Sequence, residues 1–509
     1  MKLLNGIISG DRHRSQEDIQ RNALQAASGL VDMDIQPGDA IALLLRNDFV
    51  FFEATFAAQA AGIYAVPINW HLTELEIGHI LRDSEARVLV VHTDLLIKVK
   101  GQIPGSLRIL VVPTPPEIIN AYGLSSIYQG ANYQEWEAWL QEFEPLQELQ
   151  AGVTETMMYT SGTTGLPKGV RRVVQTNDAA RRLAFMRDEI YGVKPGVRAL
   201  MTGPLYHAAP NSFGLRAAKI ADALVLMPKF DSEIWMKLIE EQQITTTFMV
   251  PTMFARLLKL PEERRNAFDL SSLDYIMHAA APCPSDIKRR MIGWLGPIVN
   301  EFYGGTEGGY WTVCSSQDWL ENPGTVGRPA AGVTLKVLTA AGEEVPVGQA
   351  GVLYGKLDCF PDFTYHKRRA DRDEIGHGNL ITIGDIGYIN KDGFVFICDR
   401  VKDMVVSGGA NIYPAEIEAE LSNMAEINDC AVFGIPDDEF GEQLIAVVQL
   451  QPEYEISETG IIAYLRSRLA GFKVPRIIKF CHSLPRSDDG KIYKRRLRDP
   501  YWKGRERSV

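Results

Sequence analysis

The sequence predicts an α/β fold with a large N-terminal domain of parallel sheets, a small β-rich subdomain and a small α+β domain at the C-terminus. Three observations support this prediction. From residue 40 onward, short apolar runs alternate with helical patterns, as they do in parallel sheets that helices cover on both faces. Between about residues 325 and 398 the pattern changes to short β segments joined by turns. Beyond residue 402, helices and strands mix in a segment of roughly a hundred residues.

The first part of the chain shows the alternation clearly. Strands are predicted at 40–45, 64–67, 87–91 and 108–112, and helices at 50–61 and 72–86. Residues 113–155 are richer in Pro, Gln and Glu, so this stretch is expected to be an irregular connection. The first forty residues carry the least information.

The same alternation resumes after that connection. Helices are predicted at 176–189 and 232–241, and strands at 199–201, 223–227, 246–250, 275–279 and 298–302. The β-rich subdomain is predicted to contain strands at 334–337, 351–354 and 394–397. The C-terminal segment is predicted to contain helices at 414–423 and 458–470 and strands at 429–433 and 443–450. Pro414 suits the first turn of its helix, where no backbone donor is needed.

Length and composition indicate several folding units and small-molecule partners. A chain of 509 residues exceeds what one hydrophobic core supports, so about two to four units are expected. Apolar residues make up 46% of the chain and charged residues 23%, which is typical of a globular enzyme. The formal net charge of −11 argues against general nucleic-acid binding. The basic segment from Lys491 to Arg507 is either a solvated tail or an attractor of polyanions.

The cysteines and the N-terminus bear on the compartment. The six cysteines lie far apart and form no C-x-x-C pair, so neither a zinc site nor a disulfide framework is suggested. The first residues lack a signal-peptide h-region, and no run approaches about eighteen apolar residues. A cytoplasmic location is therefore expected, whereas peripheral membrane contact and homodimer formation stay open.

The segment from Tyr159 to Gly169 is the strongest local signal. It combines three glycines, four Ser or Thr hydroxyls and Lys168 after a strand-like lead-in. Glycines let backbone N–H groups face an anion, hydroxyls add short donors or reach a metal, and the lysine adds positive charge. The segment is not a Walker A loop, because Pro167 precedes the lysine. It predicts a phosphate-binding loop, with an ordinary surface turn as the alternative.

Further motifs follow this loop in a fixed order along the chain. They occupy residues 204–207, 303–307, 384–385, 399–403, 407–411 and 490–492. Together with the loop, they resemble the acyl-adenylate-forming enzyme family, in particular its AMP-forming acyl-CoA synthetase (ligase) branch. The family also includes peptide-synthetase adenylation domains and beetle luciferases. The resemblance covers essentially the whole chain.

The resemblance implies a two-step reaction and a division of the chain. ATP would activate a hydrophobic carboxylic acid to an acyl adenylate with release of pyrophosphate, and CoA would then take the acyl group and release AMP. Mg²⁺ would be the cofactor. Residues 1–398 would form the adenylation domain that holds ATP and the acid, residues 399–402 the hinge, and residues 403–509 a mobile C-terminal domain that carries the catalytic lysine.

The resemblance also implies a set of catalytic residues. Lys491 would bridge the substrate carboxylate and the α-phosphate of ATP. Glu307 would hold Mg²⁺ together with the hydroxyl of Thr160, because this hard cation takes oxygen ligands. Thr306 would lie at the α-phosphate, and His207 would lie at the mouth of the acyl site.

The nucleotide site implied by the resemblance extends over most of the motifs. Tyr303 would stack on one face of adenine and Ala281 with Pro282 on the other, while Asp385 and Arg400 would hold the ribose hydroxyls. The complete predicted ATP-binding set is Thr160, Ser161, Gly162, Thr163, Thr164, Gly165, Lys168, Ala281, Pro282, Tyr303, Thr306, Asp385, Arg400 and Lys491.

The acyl site and the CoA site follow from the same resemblance. His207, Ala279 and Gly304 are the predicted acyl-site residues. Many relatives carry glycine at the position of Ala279 and threonine at the position of Ile383, so the acyl pocket and the ribose surroundings depart from the family pattern here.

A rotation of the C-terminal domain about Lys402 would replace Lys491 by Gly409 at the reaction centre. Gly408 and Gly409 would let the pantetheine arm of CoA pass close to the backbone. Lys473 would either meet a CoA phosphate or remain solvated.

Two alternative functions stay open at this point. The enzyme could pass its acyl group to a carrier-protein thiol instead of CoA, or the chain could be a nucleotide-binding relative without catalysis. The motifs favour a fatty, aryl or steroid side-chain acid without selecting one of them.

Overall fold

A large mixed sheet forms the centre of the N-terminal part of the chain. The computed structural model describes residues 3–124, 132–150, 152–161, 167–407, 410–486 and 492–503. In spatial order, the nine strands of this sheet are Arg328–Pro329, Gly309–Cys314, Val299–Gly305, Tyr275–His278, Thr246–Met249, Arg198–Met201, Ala223–Leu226, Gly6–Ser9 and Arg12–Arg14. The strands from Val299–Gly305 to Gly6–Ser9 run parallel, and the outer pairs are antiparallel.

A second sheet is parallel throughout. Its strands lie in the order Tyr64–Pro67, Ala40–Leu44, Val88–His92, Arg108–Val112 and Gln134–Glu135. Ala40–Leu44 and Val88–His92 are buried at every position, which explains their continuous apolar runs. The strands predicted at 64–67 and 108–112 have the predicted bounds.

Three smaller sheets complete the fold. The β-rich region contains Val333–Leu338, Gly351–Leu357, Leu380–Ile389 and Gly376–His377 in spatial order, with Val395–Arg400 paired to Leu380–Ile389. A three-stranded sheet contains Phe363–Tyr365, Pro167–Arg172 and Met158–Ser161. The C-terminal sheet contains Ala410–Ile412, Val405–Ser407, Gly441–Leu450 and Ile427–Asp437, with Ile477–Phe480 paired to Gly441–Leu450. The α/β class with its β-rich region and α+β C-terminal part is confirmed.

Helices cover these sheets. In chain order the α-helices are Gln16–Asp32, Phe49–Ala60, Glu74–Asp83, Thr93–Val99, Pro116–Tyr122, Trp136–Leu140, Asn177–Tyr191, Ala208–Ile220, Ser232–Gln242, Pro251–Leu258, Glu262–Arg265, Ser285–Leu295, Ser316–Glu321, Arg369–Glu374, Pro414–Ser422, Glu458–Arg466 and Lys494–Trp502. Short 3₁₀ turns lie at Lys100–Gln102 and Gly471–Lys473.

The prediction of an irregular connection at 113–155 is wrong in part. This stretch contains the helices Pro116–Tyr122 and Trp136–Leu140 and the strand Gln134–Glu135. Proline at the first position and left-handed Gly123 at the end fit the first helix. The second helix buries two tryptophans completely, so tertiary packing holds a helix whose five residues give no periodic signal.

The segment after residue 404 has a core of its own. Its apolar cluster includes Val405, Ile417, Val432 and Ile461, which are buried among residues of the same segment. One bridge to the rest of the protein is the hydrogen bond of 2.6 Å from the Lys259 ammonium to the side-chain oxygen of Asn428. Separate cores joined by polar contacts are the arrangement expected of two folding units.

The topology gathers three sets of predicted site residues at one edge of the central sheet. The strands Arg198–Met201, Thr246–Met249, Tyr275–His278 and Val299–Gly305 are parallel neighbours, so their carboxyl ends lie together. The segments that follow them contain His207, Val250, Ala279 to Pro282, and Thr306 with Glu307. Open α/β sheets bind ligands at this edge.

Candidate active site

A cavity of about 2680 Å³ opens at this edge of the central sheet and extends to the C-terminal segment. Its volume exceeds the roughly 300–1,000 Å³ of a pocket for one small molecule, so it has room for several ligands. The predicted residues that line it are Thr160, Lys168, His207, Ala279, Ala281, Pro282, Tyr303, Gly304, Thr306, Glu307, Asp385, Arg400 and Lys402. The fold therefore brings together residues that lie as far apart in sequence as Thr160 and Lys402.

Some predicted residues fall outside the described part of the chain. These are Gly162, Thr163, Thr164, Gly165, Gly408, Gly409 and Lys491, together with the side chain of Ser161. Their roles stay predictions from the sequence.

Glu307 receives hydroxyl donors from two other elements. The Thr160 hydroxyl lies 3.3 Å from Oε1 of Glu307, and the Tyr365 hydroxyl donates to the same oxygen at 3.1 Å. Burial, reinforced by the negative charge of Glu307, raises the pKa of the Tyr365 phenol, so this group stays a neutral donor at physiological pH. A carboxylate and a hydroxyl at this distance can supply two oxygen ligands to a hard cation, with the others coming from a bound ligand and water. In the described ranges, no three His, Cys, Asp or Glu side chains are grouped to hold a metal by themselves.

Arg172 holds the backbone that carries Thr306 and Glu307. Its guanidinium donates to the carbonyl oxygens of both residues and lies 4.0 Å from the ring centroid of Phe360. The residue is only 6% exposed, and burial lowers its pKa to about 10, so it stays charged at neutral pH. A buried arginine on two carbonyls fixes the position of the loop that presents the Glu307 carboxylate.

Lys168 lies beside Tyr365, one of the two donors to Glu307. Its ammonium forms an ion pair with Asp371 and lies 5.4 Å from the ring centroid of Tyr365. The hydrogen bond from Lys168 lowers the pKa of Asp371. A polyphosphate in the cavity would compete with Asp371 for this ammonium.

Asp385, Arg400 and Tyr303 form one hydrogen-bonded group. Tyr303 donates its hydroxyl to one oxygen of Asp385 at 2.8 Å, and Nε of Arg400 lies 3.2 Å from the other oxygen. Asp385 and Arg400 are direct partners on adjacent antiparallel strands, which explains why residues fifteen positions apart meet. Burial raises the pKa of the Tyr303 phenol, and the Asp385 carboxylate adds to this effect, so Tyr303 remains a donor. The ring edge of Tyr303 packs against Trp311, with centroids 6.0 Å apart.

His207 is placed by a helix and by aromatic packing. It is the N-cap residue of the helix Ala208–Ile220. Its ring lies 4.5 Å from the ring of Tyr206, which in turn packs edge-on against Trp70 at 4.5 Å. The imidazole is therefore held at the cavity wall, beyond the carboxyl end of the strand Arg198–Met201.

The segment after this strand contains a strained residue that the sequence did not reveal. Ala280 has a φ of 78°, in the left-handed region that favours glycine. This conformation directs the chain from Ala279 to Ala281 and Pro282 along the cavity wall. The residue with a glycine-like backbone conformation is therefore Ala280. It directly follows Ala279, the position at which the resemblance to the family leads one to expect glycine.

Gly304 is required by close backbone packing. A Cβ atom at this position would lie 1.9 Å from the carbonyl oxygen of Gly309 on the paired strand, at an irregularity of the sheet register. Gly304→Ala is therefore expected to lower the free energy of unfolding by about 1–3 kcal/mol, as an overpacked site does. Chemical denaturation measures the change. Gly305→Ala is the matched control, because its Cβ would meet only the Ile383 side chain at 3.2 Å and its effect should be smaller.

Asp399 lies in the predicted hinge and contacts the helix Pro414–Ser422. Its carboxylate accepts the backbone N–H of Arg400 at 2.7 Å and that of Ala415 at 2.8 Å, and the residue is 7% exposed. Burial raises the pKa of this carboxyl to about 6, although the nearby Lys494 ammonium opposes the change. The charged form is thus disfavoured in the folded protein.

A pH dependence of stability follows from this shift. The folded protein keeps the Asp399 proton up to about pH 6, whereas the unfolded chain loses it near pH 4, so stability falls as pH rises through this window. Asp399→Asn keeps an acceptor oxygen and removes the charge. Because the amide offers one acceptor oxygen to the two backbone N–H groups, the variant is expected to lower stability at pH 4 by about 1 kcal/mol and, relative to that value, to gain up to about 3 kcal/mol above pH 6. Urea denaturation at the two pH values tests this, and an equal effect at both would contradict it.

Two other predicted residues differ in their placement. Lys402 lines the cavity, and burial lowers the pKa of its ammonium. Lys473 pairs with both oxygens of Glu416, a residue of the cavity lining, at 2.8 and 2.7 Å. Its neighbours Gly471 and Phe472 line a second, smaller pocket together with Ser407 and Ala410, and the role of Lys473 toward CoA stays a prediction.

Sequence reasoning missed Arg172, Tyr365 and Asp371. The fold brings each of them to a predicted residue that is distant in the sequence. Arg172 and Tyr365, for example, lie on neighbouring strands of the three-stranded sheet. A single arginine or tyrosine within a short strand gives no motif, so no sequence signal could have identified them.

Comparisons with known proteins agree with this geometry. Residues 5–357 match the family model described as AMP-binding enzyme, and residues 416–491 match that of the AMP-binding enzyme C-terminal domain. A fatty acid–[acyl-carrier-protein] ligase from Streptomyces coeruleorubidus is 30% identical, with 99% of this chain and 94% of that protein aligned. A feruloyl-CoA synthase from an Amycolatopsis species is 31% identical over 94% of this chain and 92% of its own length.

Further similarities come from a third relative and from solved structures. A long-chain-fatty-acid–CoA ligase from Mycobacterium tuberculosis is 30% identical over 95% of this chain and 92% of its own length. The crystal structure of ATP-bound MatB from Rhodopseudomonas palustris has a TM-score of 0.83 at 25% identity, covering 98% of this chain and 96% of that chain. An anthranilate-CoA ligase in complex with anthranoyl-AMP has a TM-score of 0.84 at 24% identity, covering 98% and 94%. No helix in the described ranges has the length and apolar character needed to span a membrane.

Proposed function

Because the chain belongs to the AMP-binding enzyme family, we propose that it is an ATP-dependent, AMP-forming acyl-CoA ligase acting on a hydrophobic carboxylic acid. The acid first becomes an acyl adenylate with release of pyrophosphate, and CoA then takes the acyl group and releases AMP. The observation that carries the proposal is the shared cavity. Glu307 with Thr160 and Asp385 with Arg400 and Tyr303 line this cavity, beside the carboxyl ends of the central strands.

The first step requires two anions to meet. The substrate carboxylate attacks the α-phosphate, so cations must offset their repulsion while charge redistributes in the transition state. We assign this task to Lys491 and Lys168, which would contact the reacting oxygens and the polyphosphate. Mg²⁺, when bound, would neutralise phosphate charge, with Glu307 and Thr160 as its protein ligands.

The nucleotide is held by groups that do not react. The Asp385 carboxylate would accept from the ribose hydroxyls, and Arg400 would orient that carboxylate and donate to the ribose. Tyr303 would offer its ring face to adenine, with Ala281 and Pro282 on the opposite side. Positioning of this kind keeps the α-phosphate in line with the attacking carboxylate.

The second step requires the CoA thiol to reach the acyl carbonyl carbon of the adenylate, so that AMP can leave. We propose that residues 399–402 act as a hinge and that residues 403–509 rotate about Lys402, which would withdraw Lys491 and bring Gly408 and Gly409 to the cavity. The separate apolar core of the C-terminal segment supports such a rotation, since the segment can move without unfolding. Residues 1–398, together with Arg400 on the near side of Lys402, would hold the adenylate throughout.

The most informative test is a panel of carboxylic acids. Purified protein with Mg²⁺ is incubated with each acid, and exchange of labelled pyrophosphate into ATP reports adenylation, while AMP and thioester together report transfer to CoA. Exchange with at least one hydrophobic acid is expected. Failure of every acid in a broad panel would overturn the proposal and favour a catalytically inactive, nucleotide-binding relative.

A carrier-protein thiol is the second candidate acceptor. The similarity to a fatty acid–[acyl-carrier-protein] ligase favours it, because that relative aligns over nearly the whole chain. The same assay separates the two acceptors: thioester formed with CoA supports the ligase, and transfer only to a carrier protein supports the alternative. A cytoplasmic location stays a prediction from the sequence.

A further inference from the structure

One arm of the cavity runs along the helix Ala208–Ile220, which begins after His207. The first turn of this helix lines the cavity at every position, and beyond it the lining continues on one helix face with Ser212, Leu215, Arg216 and Lys219. Lys219 lies twelve positions after His207, which corresponds to about 18 Å along a helix. This arm therefore leads from the acyl site to a lysine far from the reacting carboxylate.

The arginines of this arm are neutralised by carboxylates. Arg187 donates to both oxygens of Glu155 at 3.0 and 2.9 Å. Arg216 donates to both oxygens of Asp188 at 2.7 and 2.8 Å. Bidentate pairs of this kind leave these guanidinium groups little capacity for another anion.

Lys219 has a different environment. Its ammonium donates to the neutral side-chain oxygen of Gln59 at 3.0 Å and lies 4.5 Å from the ring centroid of Phe56. The described part of the chain places no carboxylate in an ion pair with it, and the charges that act on it are the positive charges of Arg216 and Arg187 and the negative charge of Glu155. Surrounding protein and the Arg216 charge lower the pKa of Lys219 to about 8. The lysine is nevertheless exposed to solvent in the cavity, so a ligand can reach it.

We propose that Lys219 binds a second carboxylate at the far end of the acyl substrate, so that the preferred substrates are dicarboxylic acids with an apolar middle. This inference rests on the proposed function and specifies its substrate class. Leu215, Val250 and Met253 are apolar residues of the same cavity lining. An anion at Lys219 would gain a charge-assisted hydrogen bond without displacing a protein carboxylate.

Matched substrate pairs test the proposal. For each of several chain lengths, kcat/KM for AMP formation is measured with the α,ω-dicarboxylic acid and with the methyl-terminated acid of equal length. The unmodified enzyme is expected to prefer the diacid at one range of lengths. Lys219→Met should lower this preference by about tenfold or more, the value of one charge-assisted hydrogen bond. Lys219→Arg should retain it, and Lys219→Glu should favour acids with a terminal amine.

The control is Lys237→Met, which removes an exposed lysine of the separate helix Ser232–Gln242 and should leave the preference unchanged. An unaltered ratio in Lys219→Met, or better turnover of methyl-terminated acids at every length, would refute the dicarboxylic specificity while the ligase function stands. Absence of AMP with all acids would instead refute the ligase function, and this inference with it.

Discussion

Lys491→Ala is expected to slow acyl-adenylate formation severely and to leave thioester formation from a supplied acyl adenylate largely intact. The proposed ammonium at position 491 offsets the repulsion between a carboxylate and a phosphate, which exists only in the first half-reaction. Loss of one such stabilising group costs about a hundredfold to a thousandfold in rate. Pyrophosphate exchange and thioester formation from a synthetic adenylate measure the two half-reactions separately.

Two variants sharpen this experiment. Lys503→Ala removes another charge of the same basic segment and should leave both half-reactions unchanged. Gly409→Leu should produce the reverse of Lys491→Ala, because a side chain there would obstruct the pantetheine arm. Equal losses in both half-reactions for Lys491→Ala and Gly409→Leu would contradict the division of roles between these residues.

Glu307→Gln is expected to lower the adenylation rate by about a hundredfold and to raise the Mg²⁺ concentration needed for half-maximal activity. The amide keeps an oxygen that can accept from Thr160 and Tyr365, so the variant removes the negative charge and little of the hydrogen bonding. Steady-state assays at varied Mg²⁺ measure both effects.

Tyr365→Phe is the matched control for this charge. It removes one hydrogen bond to Glu307 and leaves the carboxylate, so a loss of roughly fivefold is expected, corresponding to about 1 kcal/mol. If Glu307→Gln retained the normal rate and the normal Mg²⁺ dependence, the carboxylate charge would have no part in the reaction.

Local patterns predicted much of the fold because burial is continuous in a parallel sheet. The strands at 64–67 and 108–112 have clear boundaries, since an apolar run ends where the chain leaves the core. The helix Trp136–Leu140 escaped prediction because five residues cannot display a helical period, and the packing of its tryptophans decides its conformation.

The candidate-site residues likewise fall into two groups: those that a local sequence pattern reveals and those that only the fold brings to the site. Residues within contiguous motifs, such as Tyr303 to Glu307, could be predicted because their spacing is local. Arg172 supports that motif through carbonyl oxygens more than a hundred residues away, which the sequence does not encode as a pattern. Ala280 gave no signal either, since an alanine in the left-handed region looks like any other alanine in a sequence.

The cross-strand pair of Asp385 and Arg400 has a consequence for the order of events in the proposed cycle. Arg400 ends its strand two residues before Lys402, the residue about which the C-terminal segment would turn. Rotation at Lys402, beyond this cross-strand pair, would leave the contacts of Asp385 and Arg400 with the ribose unchanged. The residues after Lys402 would exchange their contacts. The acyl adenylate would then stay bound through its nucleoside while CoA replaces Lys491 at the reaction centre. Loss of this intermediate by hydrolysis between the two steps would be suppressed.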